Sequence, residues 1–449
     1  FGGAGVEQVW AVEALSDGGF AVLGSTGSFG AASSDVYLFK LDVDGERVWS
    51  RLFGGPQIDE GRALVELPDG GLMIAGLTNS GAFGGYDGAI WRTNSSGDLL
   101  WERSFGGADW DMLYGIDMDL EGGVWVAGTT YSMGVGGDVW LLHLDGEGQV
   151  QFEGSFGSDR EETGSSLRAT DDGGCVITGA HVTDASDLDV LVMKFGNDGS
   201  LQWNGTYGGA EDDAARDIEV TIDGGYSVVG WTRSFNPIVE QYHIRLDPTG
   251  ETIWQRNWGQ VNDQEGFGHI QVPTGEFASI GYVSQGGAGG KDMFILKNTG
   301  NGDFILGQTQ GGTQDDIGRA ITRAEDGFVI AGITNSYGQG QWDIMVIRTD
   351  EVGFTASDLV ISELDPVNVQ SFTLTEPQIS PNPSAGEFTL SSTSCPCDWQ
   401  LFDQLGRQVD LGRLWSSSET IVTSVPDGSY ILEVLMPLGV SRTSIVIAH

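Results

Sequence analysis

Residues 62–107 read RALVELPDGGLMIAGLTNSGAFGGYDGAIWRTNSSGDLLWERSFGG, and they hold one complete structural unit. Arg62 to Leu67 alternates like a short strand, and Pro68-Asp69-Gly70 supplies a tight turn in which glycine tolerates positive φ. Leu72 to Thr78 is nearly all apolar, as a strand covered on both faces must be. A variable loop, Asn79 to Tyr86, precedes a third strand, Asp87 to Asn94. Ser95-Ser96-Gly97 turns that strand into a fourth, Leu99 to Phe105, which carries Trp101, and Gly106-Gly107 leads onward.

The unit recurs. Its core, an apolar residue with a further Gly four positions on, appears at Phe20 to Gly24, Leu72 to Gly76, Val124 to Gly128, Cys175 to Gly179, Tyr226 to Gly230, Phe277 to Gly281 and Phe328 to Gly332, preceded by Gly-Gly in the first five and by Gly275-Glu276 and Asp326-Gly327 in the last two. The steps between first residues are 52, 52, 51, 51, 51 and 51. Four strands in each of seven units predict an all-β chain whose residues 1–353 form a seven-bladed β-propeller. The seventh unit has three strands, so its fourth comes either from upstream of Phe1 or from residues 354–362.

Large side chains keep the same register. Trp49, Trp101, Phe152, Trp203, Trp254 and Leu306 occupy one slot, and Phe53, Phe105, Phe156, Tyr207, Trp258 and Gln310 the slot four residues later. Recurrence in nearly every unit points to packing between blades rather than to a carbohydrate platform.

Two carboxylate series repeat as well. Glu7, Asp59, Asp111, Glu162, Asp213, Gln264 and Asp316 open the first strands, with one amide among them. Asp35, Asp87, Asp138, Asp189, Glu240, Asp292 and Asp343 open the third strands. Five residues beyond each of the latter stands Lys40, Arg92, His143, Lys194, Arg245, Lys297 or Arg348. Alternating strand direction puts both acidic series at the face that bears the variable loops. The reading favoured is structural: each carboxylate caps backbone N–H groups or pairs with a repeated cation. The functional reading makes Asp35, Asp87, Asp138, Asp189, Glu240, Asp292 and Asp343 candidate ligands for Ca²⁺, which takes several oxygen ligands. Asp42-Val43-Asp44-Gly45 holds a fragment of a calcium loop but reads better as a hairpin turn.

Composition narrows the partners. The chain has 64 acidic against 21 basic residues, a net charge of -43, which argues against nucleic acid and anionic lipid. No apolar run reaches the length of a membrane helix. Starting at Phe1 without a leader, the chain reads as the processed or trimmed form of a secreted protein. Three cysteines, Cys175, Cys395 and Cys397, give no disulfide framework. The histidines at 143, 181, 243, 269 and 449 fit no metal-ligand spacing, and no nucleophile elbow or phosphate loop occurs, so no residue is assigned a catalytic role and no cofactor is called for.

The period stops at residue 353. Residues 354–378 contain Pro366 and Pro377 and read as a linker. Residues 379–449 show short alternating strands and glycine turns, the pattern of a small Ig-like β-sandwich. They include Pro381-Asn382-Pro383, then Phe402-Asp403 with Gly406-Arg407 and Val409, then Gly428-Ser429-Tyr430. On these residues the segment resembles the type A C-terminal sorting domain of the type IX secretion system of Bacteroidota. Where that family tends to end Lys-rich, this chain offers Arg442 and His449. The resemblance implies periplasmic transit and delivery to the surface of a Gram-negative bacterium, with a translocon and an outer-membrane shuttle or sortase as partners of residues 379–449. The repeats resemble those of secreted bacterial propellers. The expected function is therefore an exported surface protein that binds a protein or glycan. A carbohydrate-active enzyme working in the funnel and an adhesive component of a surface assembly are the alternatives.

Overall fold

The computed structural model describes residues 1–351, except 31–33, 81–83, 260–261, 288 and 339–340. Beyond them it describes 378–380, 387–391, 397–402, 408–414, 418–422, 425–426, 428–436 and 439–447. Seven sheets follow one another along the chain, six with four strands in sequential antiparallel order and a seventh with three. The chain divides into two compact units, Phe1–Val367 and Asn368–His449.

Each blade is a meander because each connection is short. The Asp-Gly-Gly turns need left-handed backbone, as at Gly70, where φ is 77°. Second strands such as Leu72–Thr78 and Val124–Thr130 are buried along their whole length, which explains their unbroken apolar sequence. Fourth strands such as Leu99–Phe105 alternate between half-buried and exposed, as outer edges should. The aromatic row packs between blades: Trp49 lies against Gly97, Trp101 against Gly148 and Trp203 against Gly250, each glycine in the neighbouring blade's last turn. Asp42 accepts from the N–H groups of Asp44 and Glu46 at 3.0 and 2.9 Å, so that segment is a hairpin turn.

The ring closes through Phe1. The Ile344 N–H donates to the Phe1 carbonyl at 2.9 Å, and the Phe1 amine donates to the Ile344 carbonyl at 2.5 Å. Phe1 thus stands beside Ile344 as Phe53 stands beside Val36 and Phe105 beside Gly88, taking the last position of a fourth strand. First and seventh blades share one core, in which Val9, Val12 and Phe39 pack with Ile317, Val329 and Ile344. Residues 354–362, the other candidate for closure, lie outside the described residues.

The second unit holds a three-stranded sheet, Gln378–Ser380, Glu387–Ser391 and Ser418–Val422. It also holds a four-stranded one, from Gln408–Leu414 through Cys397–Phe402 and Gly428–Met436 to Gly439–Ile447. Leu401, Leu432 and Ile447 are fully buried in it.

Candidate binding channel

The first strand of every blade lines the propeller axis, and every one carries a β-bulge. Val9 pairs with Gly24 and Ala11 with Leu23, so Trp10 is skipped by the ladder. Arg62, Tyr114, Ser165, Arg216, Phe267 and Arg319 are skipped in the same way. A bulged residue leaves the alternation of its strand and is re-aimed. Here all seven point into one channel, part of a cavity of about 1160 Å³.

The last glycine of the repeat makes the bulge possible. A Cβ added to Gly24, Gly76, Gly128, Gly179, Gly230, Gly281 or Gly332 would lie 1.7 to 2.5 Å from a backbone oxygen of the bulged strand. Only a residue without a side chain admits that approach.

The seven bulged residues form a collar in which cations and rings alternate. The Arg62 guanidinium lies 3.8 Å from the ring centre of Trp10 and 5.7 Å from that of Tyr114. Arg319 lies 5.5 Å from Trp10 and 4.2 Å from Phe267, and Arg216 lies 5.6 Å from Phe267. Ser165 is the gap between Tyr114 and Arg216. Two of the cations are neutralised: Arg62 pairs with Glu60 at 2.5 Å and Arg216 with Glu265 at 2.7 Å. Among the described residues Arg319 has no ion pair, and its Nε is buried without a hydrogen-bond partner. Burial, with Arg216 and Arg62 nearby, pulls its pKa down to about 10 against the opposing pull of the Glu265 carboxylate, so it remains a cation at neutral pH. The collar therefore sets three guanidinium groups against two carboxylates, Glu60 and Glu265, and keeps one positive charge in excess between aromatic faces.

Three residues further along the same strands the channel turns acidic. Glu13, Asp117 and Glu219 project there around Arg168, which holds Glu219 at 2.8 Å and Asp217 at 3.8 Å. Burial raises the Asp117 and Glu219 carboxyls. Glu13, with no hydrogen bond to its carboxylate among the described residues, is pushed up to about 7 by burial and by its acidic neighbours. Its folded pKa lies above the ordinary 4.5, so its contribution to stability is complete below 4.5 and is lost as pH rises through 7. Glu13→Gln should therefore stabilise the propeller by about 1–3 kcal/mol at pH 8 and by little at pH 4. Equal denaturation midpoints for the two proteins at pH 8 would contradict this placement.

One wall of the channel contains a Ser-His-Asp chain. The Ser227 hydroxyl lies 2.9 Å from His269 Nε2, and His269 Nδ1 lies 3.0 Å from Asp217 Oδ2. The order is that of a nucleophilic triad, but Ser227 is 0% exposed and is also bonded to His243 Nε2 at 2.7 Å. A buried hydroxyl held by two imidazoles cannot meet a substrate, so the chain is a polar strut between the fifth and sixth blades. His243 and His269, scattered in sequence, stand with ring centres 5.4 Å apart. His449 lies outside the described residues.

The repeated acids lie elsewhere. Six blades set a first-strand acid and a third-strand acid on either side of one second-strand residue, as in Glu7–Thr26–Asp35 and Asp59–Thr78–Asp87, and the sixth blade has Gln264 in place of the first acid. Both series sit at the end with the variable loops, as expected, but all except the half-buried Asp189 and Gln264 are buried beneath the blade junctions instead of opening onto the face. The first series clamps the junction. Asp111 accepts from the Gly107 N–H at 2.7 Å, the Thr130 hydroxyl at 2.5 Å and the Ser132 hydroxyl at 2.7 Å. The partner signal, Thr-x-Ser at the end of the second strand, is written in the sequence at Thr78 to Ser80 and Thr334 to Ser336 as well.

The expected pairing of the third-strand acids with the repeated cations is not what forms. Lys40, Arg92, His143, Lys194, Arg245, Lys297 and Arg348 sit at the opposite strand end and pair with acids of the tight turns: Asp17, Asp69, Asp119, Asp172, Asp223, Glu276 and Asp326. A five-residue step along a strand spans roughly 16 Å, too far for an ion pair. Of the third-strand acids, Glu240 accepts from the Asn236 and Asn257 amides at 2.7 and 2.6 Å. Asp138, Asp189 and Asp292 each keep one buried oxygen without a hydrogen-bond partner. Burial and a facing acid, Glu162 or Asp213, raise the Asp138 and Asp189 carboxyls. Asp35, Asp87 and Asp343 occupy the equivalent buried places in their blades. Among the described residues, no group of three or more His, Cys, Asp or Glu side chains is arranged to share a metal ion. Of the residues that carry the tail resemblance, Pro381, Asn382, Pro383, Asp403, Gly406 and Arg407 lie outside the described residues. Gly428 and Tyr430 lie in the strand Gly428–Met436, where the Tyr430 hydroxyl donates to the Pro426 carbonyl at 2.6 Å. No helix among the described residues is long and apolar enough to cross a membrane.

No family model matches the chain, and no curated protein matches it. Solved structures do. The chain is similar to PorZ, an essential bacterial surface component of the type-IX secretion system of Porphyromonas gingivalis, at 12% identity and a TM-score of 0.47 over 100% of this chain and 60% of that one. It is similar to a puromycin hydrolase mutant at 15% identity and a TM-score of 0.51, over 86% of this chain and 58% of that one. It is also similar to the β-propeller domain of the Trilobed protease from Pyrococcus furiosus, at 9% identity and a TM-score of 0.44, over 77% and 94% of the two chains. What is shared is the propeller. This chain spans about 60% of the length of the first two, and at such identities the likeness speaks to fold and not to activity.

Proposed function

We propose that this chain is an exported surface protein whose propeller binds a small ligand, by an anionic group, in the collar of the channel. One observation carries the reading: seven bulges, one per blade, turn three guanidinium groups and three aromatic rings toward a common axis and leave Arg319 with no ion pair of its own among the described residues. A chain of net charge -43 gains nothing in solubility from basic residues gathered in its interior. Cations beside ring faces suit a carboxylate attached to a planar or apolar body. Export rests on the sorting-domain resemblance of residues 379–449, whose sandwich pattern, linker at 354–378 and translocon partners belong to the same proposal.

The probe is 3-phenylpropionate. It should raise the melting temperature of the whole chain in proportion to the logarithm of its concentration, as a ligand of the folded state does. Arg319→Gln should remove most of that response while leaving the melting temperature without probe within a few degrees. A response that survives the substitution would move the site out of the collar.

A second reading, glycoside hydrolysis in the same cavity, is favoured by Glu13 alone, since a carboxyl titrating near 7 is suited to protonate a leaving group. Release of nitrophenol from aryl glycosides, lost in Glu13→Gln, would establish it.

A further inference from the structure

The collar and the acidic tier beneath it face the same cavity, and the distance between them is set by the strands. Trp10 and Glu13, Tyr114 and Asp117, and Arg216 and Glu219 are each three residues apart on one strand. At the rise of an extended chain that is roughly 10 Å. We infer that the ligand is zwitterionic and linear, with a carboxylate at the Arg319 collar and an ammonium group roughly 10 Å away among Glu13, Asp117 and Glu219, the dimensions of an extended tripeptide with free ends. This rests on the collar reading and adds the second charge to it.

Three features of the channel converge on this ligand. The tiers have opposite sign: the collar holds an unpaired guanidinium, while three channel carboxylates of the lower tier surround Arg168, and Arg323, the other cation lining that end, is paired with Glu351 at 2.6 Å. A simple anion that moved on from the collar would meet those carboxylates, and a simple cation that moved on from the acidic tier would meet three guanidinium groups. A ligand with both charges in this order satisfies both tiers. Charge balance at long range agrees, because a molecule with no net charge is neither repelled nor held by the field of a chain at -43. The collar's rings, Trp10 and Phe267 on either side of Arg319, accept an aromatic residue next to the carboxylate. The Ser165 gap in the collar leaves room for the backbone to pass.

The test compares three forms of one peptide, Ala-Ala-Phe, by calorimetric titration of the whole chain at pH 8. The peptide with both ends free should bind about tenfold or more tightly than its N-acetylated form and than its C-amidated form, since a hydrogen-bonded charge is lost in each. Arg319→Gln should abolish the discrimination against the amide and keep that against the acetylated peptide. Glu13→Gln should weaken the discrimination against the acetylated peptide and keep that against the amide, a reciprocal pattern that misfolding cannot produce. Affinity for the free peptide should rise between pH 6 and pH 7 as Glu13 ionises while the peptide's ammonium group is still protonated, and this rise should be absent in Glu13→Gln. If the acetylated peptide binds as tightly as the free one, the zwitterionic inference is wrong and the anionic collar stands. If neither the peptides nor 3-phenylpropionate bind, both are wrong.

Discussion

Gly128→Ala should destabilise the propeller by more than about 3 kcal/mol, the cost of a forced backbone shift in a packed interior. Gly128 lies in the middle of the second strand of the third blade and pairs with Leu113, immediately beside the bulged Tyr114. A Cβ there would stand 1.8 Å from the Met112 carbonyl oxygen and 2.8 Å from the Leu113 Cα, both main chain. No rotamer change relieves such a clash. Either the second strand withdraws, opening a core that contains Val126, Trp140 and Leu142, or the first strand flattens and Tyr114 turns out of the collar. Both routes are measurable, as a lower denaturation midpoint and as a changed response of the channel to 3-phenylpropionate. Gly122→Ala makes a fitting control. Gly122 has φ of 87°, but nothing lies within 4 Å of its added Cβ, so the penalty is limited to the left-handed backbone and should be about 1 kcal/mol. Equal losses at the two positions would show that the bulge does not depend on the missing side chain.

The other large effect concerns where the protein goes. Removing residues 379–449 should leave a folded propeller that collects in the periplasm, and fusing those residues to an unrelated folded protein should carry it to the cell surface. The tail's strands pair with one another, Cys397–Phe402 with Gln408–Leu414 and Gly428–Met436 with Gly439–Ile447, and Leu401 and Leu432 are buried. A segment with its own ladders and its own buried side chains can act as a separable signal. Fractionation of cells expressing each form decides the matter: undiminished surface display of the truncated chain would overturn the sorting proposal.

The sequence discloses the fold because each element obeys a local rule. The turn at Asp69-Gly70-Gly71 needs glycine, the strand Leu72–Thr78 must be apolar, and Trp101 must recur where blades meet. The channel obeys no such recurrence. Its seven slots hold Trp, Arg, Tyr, Ser, Arg, Phe and Arg, and an eye trained on repetition passes over a column in which nothing repeats. Strand alternation misleads as well: in Asp59–Glu66, period 2 is interrupted at Arg62 by the bulge, so counting from Asp59 assigns the later residues to the wrong side. The acid series shows the converse. Asp59 and Asp111 recur because they hold Thr78 and Thr130, and the buried clamp drew attention by being the same in blade after blade. The pairing of Lys194 with Asp172, and not with Asp189, follows from strand length and could have been counted in advance.

A residue that the ladder skips makes no demand on the hydrogen bonding around it. Trp10, Arg62, Tyr114, Ser165, Arg216, Phe267 and Arg319 are therefore seven characters of an address, written on strand ladders that read the same whatever they are, with neighbours such as Arg62 and Trp10 read together. Selection can rewrite these characters and retarget the molecule without rebuilding its strand ladders. Chains that share this scaffold should accordingly be most alike in their glycines and most divergent at these seven positions.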